Sequence, residues 1–384
     1  MFTVKAFSHT ICFGRRERNG LSMIRLGIIG LGEVAQLMHL PIIHDLDKDY
    51  EITAVSDVSP SLVEFIAKKY HVAESYTNPH QLLESENIDA VLILSPDQYH
   101  GEHISRALKN GKHVFVEKPV TLCSEELAEV IELKKSYPHL IVMVGFMRRY
   151  EGTFLKAKEI LEKEPKKTQY LRFRDIILEG PFFIGQTRPI FYPDDISDEV
   201  IAESEAKKKA QLDSGIGVTA TEEQRTTYQM MTGLGCHSFS AVRELFGVPK
   251  KILSVTTAAK GEQVVVVMEF DGFIAIYELI NNQQVVQFDA SIEIFQGDRK
   301  VLIKYETPYI RHQPTTVEVV ESTATETKTT IYGPDFKDSF HTELEVFAQC
   351  IATGEEPKTT LEDGMEDLKI FEEIVALMGE GCIS

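Results

Sequence analysis

The chain has 384 residues, which suggests two domains at roughly 100–200 residues each. It carries 40 Lys and Arg against 59 Asp and Glu, and the resulting formal net charge of −19 argues against nucleic acid as a partner. A hydrophobic share of 43% and a charged share of 26% are typical of globular domains and exclude a disordered or fibrous chain.

Membrane association and disulfide cross-linking are also disfavoured. The acidity opposes binding to anionic lipids, and no apolar run approaches the ~20 residues of a spanning helix. Five scattered cysteines without a C-x-x-C pair favour reduced thiols and a cytoplasmic location over a disulfide framework or a zinc site.

Residues 1–22 differ from the rest of the chain. The Arg15-Arg16 pair is found in twin-arginine export signals, but the apolar stretch that follows is short and runs into glycines. We interpret residues 1–22 as an N-terminal extension outside the core, ahead of a natural start near Met23.

A buried strand, a glycine turn and a helix come next. Residues 24–29 form an apolar, β-branched run, and residues 30–35 read G-L-G-E-V-A. In a G-x-G-x-x-A motif the first glycine allows a tight turn, the second lets the backbone approach a pyrophosphate, and the small third residue packs helix against strand. The pattern predicts a dinucleotide site at the helix N-terminus.

Asp57 follows a second predicted strand at residues 51–56. It lies 25 residues after Gly32, near the ~20 expected of an acid that binds a ribose 2′-hydroxyl. The alternative, that Asp57 caps the next helix, is weaker because Ser59 can cap that helix with Pro60 in its first position. No arginine follows Asp57 to accept a 2′-phosphate, so NAD is predicted over NADP.

Strand and helix alternate as far as residue 144. Further strands are predicted at 89–94, 112–116 and 140–144, with helices at 101–110 and 124–137 and another opening at Asn78-Pro79. This alternation predicts an α/β domain over residues 23–147 with a doubly wound parallel sheet and a ligand at the carboxyl ends of its strands.

Four segments resemble the glucose-fructose oxidoreductase / inositol 2-dehydrogenase / MocA (Gfo/Idh/MocA) family in order and spacing. They are residues 30–35, 95–100 (S-P-D-Q-Y-H), 117–119 (E-K-P) and 145–150 (G-F-M-R-R-Y), and the last is especially similar to inositol dehydrogenases. The resemblance implies an N-terminal Rossmann domain and a C-terminal α+β domain over 148–384. In the second domain it implies an open-faced, mostly antiparallel sheet that forms a homodimer or homotetramer surface.

The resemblance and the strand-end rule together predict the cofactor contacts. These are Gly30, Gly32, Glu33, Val34, Ala35, Asp57, Ser95, Pro96, His100, Glu117 and Lys118. The resemblance places Lys118 beside the nicotinamide, where an ammonium group stabilises a developing alkoxide, and makes a cis Lys118–Pro119 bond plausible. His100 and His103 share a helix face, but with no third ligand evident no metal is expected.

The predicted general base is His237. The family's second domain usually carries a D-x-G-x-H-x-x-D stretch, whereas residues 233–240 read G-L-G-C-H-S-F-S. His237 is retained, and Gly233 and Ser240 stand where the resemblance implies acids. The structural alternative for His237 is a buried helix histidine.

Residues 180–231 form an insert relative to the family. A charged helix predicted at 197–212, with a loop at 213–217, has no apolar stripe and is typical of a solvated surface helix. The alternative is a lid over the crevice, or an arm into a neighbouring subunit, that replaces the missing acid. Candidates for that replacement are Asp213, Glu222, Glu223 and Tyr228, and the preferred substrate contacts are Arg148, Arg225, Tyr228 and His237.

The remaining chain predicts the second sheet and its flanking helices. Strands are predicted at 252–257, 264–270, 273–279, 285–294, 300–305 and 316–332. A core helix then ends at Gly354, and Thr360 caps the last helix.

The predicted function is that of an NAD-dependent dehydrogenase oxidising a sugar, a polyol or a related secondary alcohol. One alternative is a non-catalytic, cofactor-binding regulator of the same fold, which the missing acids favour. Another is an NAD-dependent glycosidase, which begins with the same hydride step. The retained Lys118 and His237 argue against the regulator.

Overall fold

The computed structural model describes residues 2–5, 23–177, 181–187, 189–281 and 288–378. Its first strand, β1 (Phe2–Lys5), belongs to the sheet of the second domain. The next six strands form one all-parallel sheet in the order β4-β3-β2-β5-β6-β7. They are β2 (Ile24–Ile29), β3 (Tyr50–Ser56), β4 (Glu74–Tyr76), β5 (Ala90–Ile93), β6 (His113–Glu117) and β7 (Val142–Gly145).

This strand order confirms the predicted Rossmann topology. The chain leaves β2 and β5 on opposite sides of the sheet, so a crevice opens at their carboxyl ends, where such folds bind ligands. The flanking helices are α1 (Leu40–Asp45), α2 (Pro60–Tyr70), α3 (Pro79–Glu84), α4 (His100–Lys109) and α5 (Ser124–Lys134), and a π-helical turn (Ala35–His39) precedes α1.

Local sequence explains how these helices begin. The Ser59 hydroxyl accepts a hydrogen bond from the Leu62 amide at 3.1 Å, and Pro60 occupies the first turn of α2, as predicted. Asn78 caps α3 in the same way through the His80 amide. Ser59 therefore takes the capping role that was the alternative for Asp57.

The second domain is built on a nine-stranded sheet in the order β1-β15-β14-β13-β12-β8-β11-β10-β9. Its strands after β1 are β8 (Tyr170–Ile177), β9 (Lys251–Ala258), β10 (Gln263–Phe270), β11 (Phe273–Asn281), β12 (Phe288–Gln296), β13 (Arg299–Tyr305), β14 (Thr315–Ser322) and β15 (Thr327–Asp335). Pairing is antiparallel except for β8 with β11 and β1 with β15. The extension expected at residues 1–22 thus contributes an edge strand, while residues 6–22 lie outside the described residues.

Two details of the second domain differ from expectation. The predicted strand at 316–332 is a hairpin of β14 and β15 that turns between Ser322 and Thr327, because Thr323 closes the turn onto Glu326. The predicted loop at 213–217 is mostly helical, since the helix of the insert continues to Ile216 and ends at Gly217, whose φ is +91°. The start of the strand predicted at 285–294 falls outside the described residues.

The remaining helices are α6 (Gly152–Lys163), α7 (Pro181–Thr187), α8 (Asp198–Ile216), α9 (Glu222–Met230), α10 (Cys236–Phe246), α11 (Ser339–Thr353) and α12 (Leu361–Leu377). A π-helical turn, Met231–Gly235, joins α9 to α10. Asp338 caps α11 and Thr360 caps α12, the latter as predicted.

One apolar core joins the two domains. It runs from the Rossmann strands through α5 and α12 to Phe239, Tyr277 and the nine-stranded sheet. A second apolar cluster covers the other face of the Rossmann sheet, and α11 completes it with Phe340, Leu344 and Phe347. The continuous burial fixes the crevice between the domains. Within the described residues, no helix has both the length and the apolar character needed to cross a membrane.

Candidate active site

The glycine turn after β2 leaves room for a ligand. Gly30 has φ +88°, and a Cβ there would lie 2.5 Å from the main-chain carbonyl of Leu94, so a side chain is excluded. A Cβ on Gly32 would meet nothing within 4 Å, which leaves open space beside the backbone. Ala35 is fully buried where helix packs on strand. The residues present therefore fit a dinucleotide pyrophosphate.

Asp57 lies beside this cradle, at the end where a ribose was predicted. Its carboxylate accepts hydrogen bonds from the Leu31 amide at 2.9 Å and the Ser59 amide at 3.0 Å. Burial raises the pKa of Asp57 and so does the nearby Asp195 carboxylate, while the amide bonds act in the opposite direction. Asp57 is thus fixed beside the glycine turn, where the ribose contact was predicted.

The insert crosses the carboxyl edge of the Rossmann sheet. Tyr192 donates to Glu33 at 3.0 Å, after β2, and Gln211 donates to the Gln98 carbonyl at 2.8 Å, after β5. Further along, the Ser214 hydroxyl donates to Glu125, which follows β6. These contacts belong to one chain and support the interpretation of the insert as a cover for the crevice.

Lys118 lies at the end of the crevice where the reaction was predicted. Its ammonium donates a 2.7 Å hydrogen bond to the main-chain carbonyl of Gly233, in the π-helical turn before α10. Burial opposes the charged form, but Cys236, Glu117 and Asp97 raise the pKa of Lys118 above its ordinary value. The ammonium stays charged and aimed at the helix that carries His237. The Lys118–Pro119 bond is cis.

His237 faces Lys118 from α10. Burial lowers the pKa of His237 well below its ordinary value, and the positive charges of Lys118 and Arg148 lower it further. Its Nδ1 atom is buried and has no hydrogen-bond partner among the described residues. A neutral imidazole with an unpaired nitrogen can accept a proton from a bound hydroxyl.

His100 does not face the crevice as expected. Its ring is 1% exposed, and its two nitrogens lie 2.8 Å from the Pro119 carbonyl and 2.7 Å from the Ser95 carbonyl. Because both nitrogens are used by the backbone, the ring joins the loop after β5 to the loop after β6. The ring therefore positions the backbone on either side of the crevice, next to Ser95 and Lys118.

Three of the four candidates to replace the missing acid bond to other groups, and the fourth, Glu222, is exposed. Tyr228 is fully buried and donates to the Leu122 carbonyl at 3.0 Å. Arg225 pairs with Asp213 at 2.5 Å, Glu223 accepts a bond from Thr257, and Glu222 is exposed. None of these contacts reaches Lys118 or His237. The structure therefore does not support the alternative in which the insert replaces the missing acid, or the predicted substrate role of Arg225 and Tyr228.

Arg148 lies beneath the reacting end. It donates to Asp175 at 2.6 Å and to the Ser238 hydroxyl at 2.7 Å, with 3% and 0% exposed side chains in the ion pair. Its guanidinium also stacks over the Tyr305 ring at 4.8 Å. These bonds hold α10 against β8, so the structure supports a positioning role for Arg148 in place of the expected substrate contact.

Sequence reasoning missed several residues of this region. The sequence could have indicated Asp175. It alternates with Leu171 and Phe173 on the buried face of β8, and a charge buried there needs a partner. Tyr309 lies in a loop after β13, and Lys118 and Glu117 both influence its pKa, which burial raises. No local pattern indicates that this loop reaches the crevice.

A buried carboxyl cluster also lies behind Glu117. His39 bonds Glu117 at 2.7 Å, and Glu343 of α11 is fully buried, with no partner for its carboxyl oxygens among the described residues. Burial raises the pKa of Glu343 well above its ordinary value, and Glu117 adds to this. No group of three or more His, Cys, Asp or Glu side chains suited to a metal occurs in the described ranges.

The fold and the site define a two-domain, dinucleotide-binding oxidoreductase architecture. Residues 24–146 match the family model described as an oxidoreductase family with an NAD-binding Rossmann fold, and residues 222–381 match that family's C-terminal α/β domain. The chain belongs to this family, Gfo/Idh/MocA, as the motifs predicted.

Similar proteins include several inositol dehydrogenases. The myo-inositol 2-dehydrogenase of Thermotoga maritima is 36% identical over 139 residues, which is 36% of this chain and 41% of that protein. The scyllo-inositol 2-dehydrogenase (NAD(+)) of Bacillus subtilis is 24% identical over 351 residues, 90% of this chain and 92% of that protein. Among solved structures, the myo-inositol 2-dehydrogenase of Lactobacillus plantarum has a TM-score of 0.69 at 23% identity, covering 94% of this chain and 98% of the other.

Proposed function

We propose that the protein is an NAD-dependent dehydrogenase that oxidises a secondary alcohol of a polyol or sugar, with an inositol as the first candidate. The observation that carries the proposal is the 2.7 Å hydrogen bond from the Lys118 ammonium to the Gly233 carbonyl, which holds that charge against the turn before the helix that carries a neutral His237. The inositol dehydrogenases among its relatives support the choice of substrate class.

His237 and Lys118 would have separate roles in the reaction. The chemistry that NAD supplies when bound is acceptance of a hydride from the carbon that bears the hydroxyl. His237 takes the hydroxyl proton on its neutral imidazole, and Lys118 stabilises the oxygen as negative charge develops. The alcohol loses one hydride and one proton and becomes a ketone.

The Gly233 carbonyl substitutes for the absent acid in one respect only. It orients the Lys118 ammonium through a hydrogen bond, as a carboxylate would, but carries no full charge. The ammonium keeps two further N–H donors for the substrate oxygen.

A substrate panel tests the proposal. The purified chain is incubated with NAD and with cyclitols, hexoses or sugar acids, and NADH formation is followed by absorbance. Activity on a cyclitol is expected. Tight NAD binding without NADH formation on any member would instead favour a regulator, and release of a leaving group without net NADH would favour a glycosidase.

We further infer that the protein is a cytoplasmic homodimer or homotetramer that pairs through the nine-stranded sheet. Leu253, Val265 and Ile274 are between 38% and 43% exposed on strands β9 to β11, which supports a covered face. The free thiols of Cys123, Cys236 and Cys350 support a reducing compartment. Sedimentation velocity tests the assembly, and a monomer at micromolar concentration would contradict it.

A further inference from the structure

A second carboxylate lies at the ribose end of the crevice. Asp195, from the insert, accepts hydrogen bonds from the Ser59 hydroxyl at 2.5 Å and from the Ser61 amide at 2.8 Å. Ser59 is the N-cap of α2 and Ser61 lies in its first turn. Asp195 therefore occupies the donors that open α2, immediately after Asp57.

The segment that carries Asp195 is fastened to the Rossmann domain. The Gln36 side chain exchanges two hydrogen bonds with the Phe191 backbone, at 2.9 and 3.0 Å. The Phe191 ring stacks on Phe65 with centroids 4.8 Å apart, and Tyr192 bonds Glu33. These contacts fix residues 191–195 against the Rossmann domain and hold Asp195 over the ribose end.

The two carboxylates at this end act on one another. Both bond to Ser59, Asp57 through the amide at 3.0 Å and Asp195 through the hydroxyl at 2.5 Å, so their charges lie close enough to repel. Burial raises the pKa of Asp57, and the Asp195 charge adds to this. The hydrogen bonds from Ser59 and Ser61 lower the pKa of Asp195 itself, so it remains ionised at neutral pH.

A ribose 2′-hydroxyl and a 2′-phosphate meet this arrangement differently. The hydroxyl can donate a hydrogen bond to a carboxylate, whereas the phosphate carries a charge near −2 and needs N–H or O–H donors. The Ser59 and Leu31 amides are used by Asp57, and the Ser59 hydroxyl and the Ser61 amide at the start of α2 are used by Asp195. A phosphate would have to displace Asp195 or lie against its charge.

We propose that Asp195 is a specificity-determining residue that, together with Asp57, excludes NADP and selects NAD. This inference rests on the proposed dinucleotide site and adds a residue of the insert, 138 positions after Asp57, to the cofactor-binding surface. The insert then takes part in cofactor selection and also covers the crevice.

Calorimetric titration of NAD and NADP into the full chain tests the proposal without relying on turnover. Asp195→Asn removes the charge but keeps an oxygen for the Ser61 amide. A carboxylate and a doubly charged phosphate about 6 Å apart in water repel enough to change an affinity by about tenfold. We expect NADP to bind about tenfold tighter to the variant, while NAD affinity changes by less than about threefold.

Asp194→Asn is the matched control, because it changes net charge equally at the neighbouring exposed position. It should leave both affinities unchanged. An unchanged NADP affinity in Asp195→Asn, with NAD still bound, would overturn this inference alone. Equal gains in both variants would also overturn it, since net charge would then be the cause. Failure of the wild-type chain to bind either dinucleotide would overturn the proposed function together with this inference.

Discussion

At the reacting end of the crevice the charged groups are buried and held by main-chain or ion-pair partners, as Lys118 and Arg148 are. At the ribose end, Asp195 lies at the surface and is held by a hydroxyl and one amide. Water screens charges at the second end and much less at the first. Substitutions at the reacting end should therefore cost rate or stability, while those at the ribose end should change cofactor choice with little effect on folding.

Removal of the Lys118 ammonium should have the largest effect. Lys118→Ala takes away the charge opposite His237, and we expect turnover to fall by about 10²–10⁴-fold, while NAD affinity changes by less than about threefold. Steady-state kinetics and calorimetry measure the two quantities. Lys109→Ala, an exposed lysine at the end of α4, is the control and should behave as wild type. Undiminished turnover in Lys118→Ala would contradict the assigned role.

Breaking the buried ion pair beneath the reacting end should reduce stability strongly. Among the described residues, Arg148→Ala leaves the buried Asp175 carboxylate with the Tyr277 hydroxyl as its side-chain partner, and the free energy of unfolding should fall by about 3–5 kcal/mol.

The matched control is a more exposed ion pair that also uses strand β8, with its partner on the neighbouring strand β12. Arg172 bonds Glu293 at the same 2.6 Å, but its side chain is 38% exposed. Arg172→Ala should therefore cost only about 0–1 kcal/mol in urea unfolding. Equal losses in the two variants would show that burial does not decide the strength of these pairs.

Glu151, three residues after Arg148, should make the free energy of unfolding depend on pH. Burial raises the pKa of Glu151 from its ordinary value of 4.5 to about 7, and Asp335 and Asp338 contribute. Between these values the folded state holds a proton that the unfolded state releases, so stability is present below pH 4.5 and is lost as the pH rises through 7.

Glu151→Gln should remove this loss. The amide oxygen can still accept the 2.9 Å hydrogen bond from Thr315, and unfolding at pH 8 should require about 1–3 kcal/mol more than in the wild type, with no gain at pH 4. Urea unfolding across pH measures the difference. Glu162→Gln on the exposed side of α6 should leave the profile unchanged, and an equal gain there would exclude Glu151 as the cause.

Gly233→Ala should have the smallest effect. A Cβ at this helical position would meet nothing within 4 Å, so stability should rise by about 0.5–1 kcal/mol. Turnover should stay within about twofold, because Lys118 bonds the carbonyl and not a side chain. Gly235→Ala is the contrasting variant, since its Cβ would lie 3.1 Å from the Tyr277 hydroxyl and should give no gain. A large loss of turnover in Gly233→Ala would contradict the carbonyl contact.

Much of the fold could be predicted because its signals are local. The apolar runs and glycine turn of the first domain predicted the parallel sheet, and Ser59 and Thr360 cap their helices as their positions indicate. The site could be predicted less completely. Arg225 and Tyr228 lie near His237 in sequence, but the burial of Tyr228 and the ion pair of Arg225 with Asp213 direct them away from it.

By itself, the sequence determined that a glycine turn follows the first buried strand, that an acid ends the second strand, and that Lys118 and His237 are available for chemistry. Only the tertiary structure decided which groups surround them. Strand and helix periodicity establish the face on which a side chain lies, but they carry no information about which distant segment packs there. The Gly233 carbonyl meets Lys118 across 115 residues, and Asp195 meets Ser59 across 136, because the shared core brings the domains and the insert together.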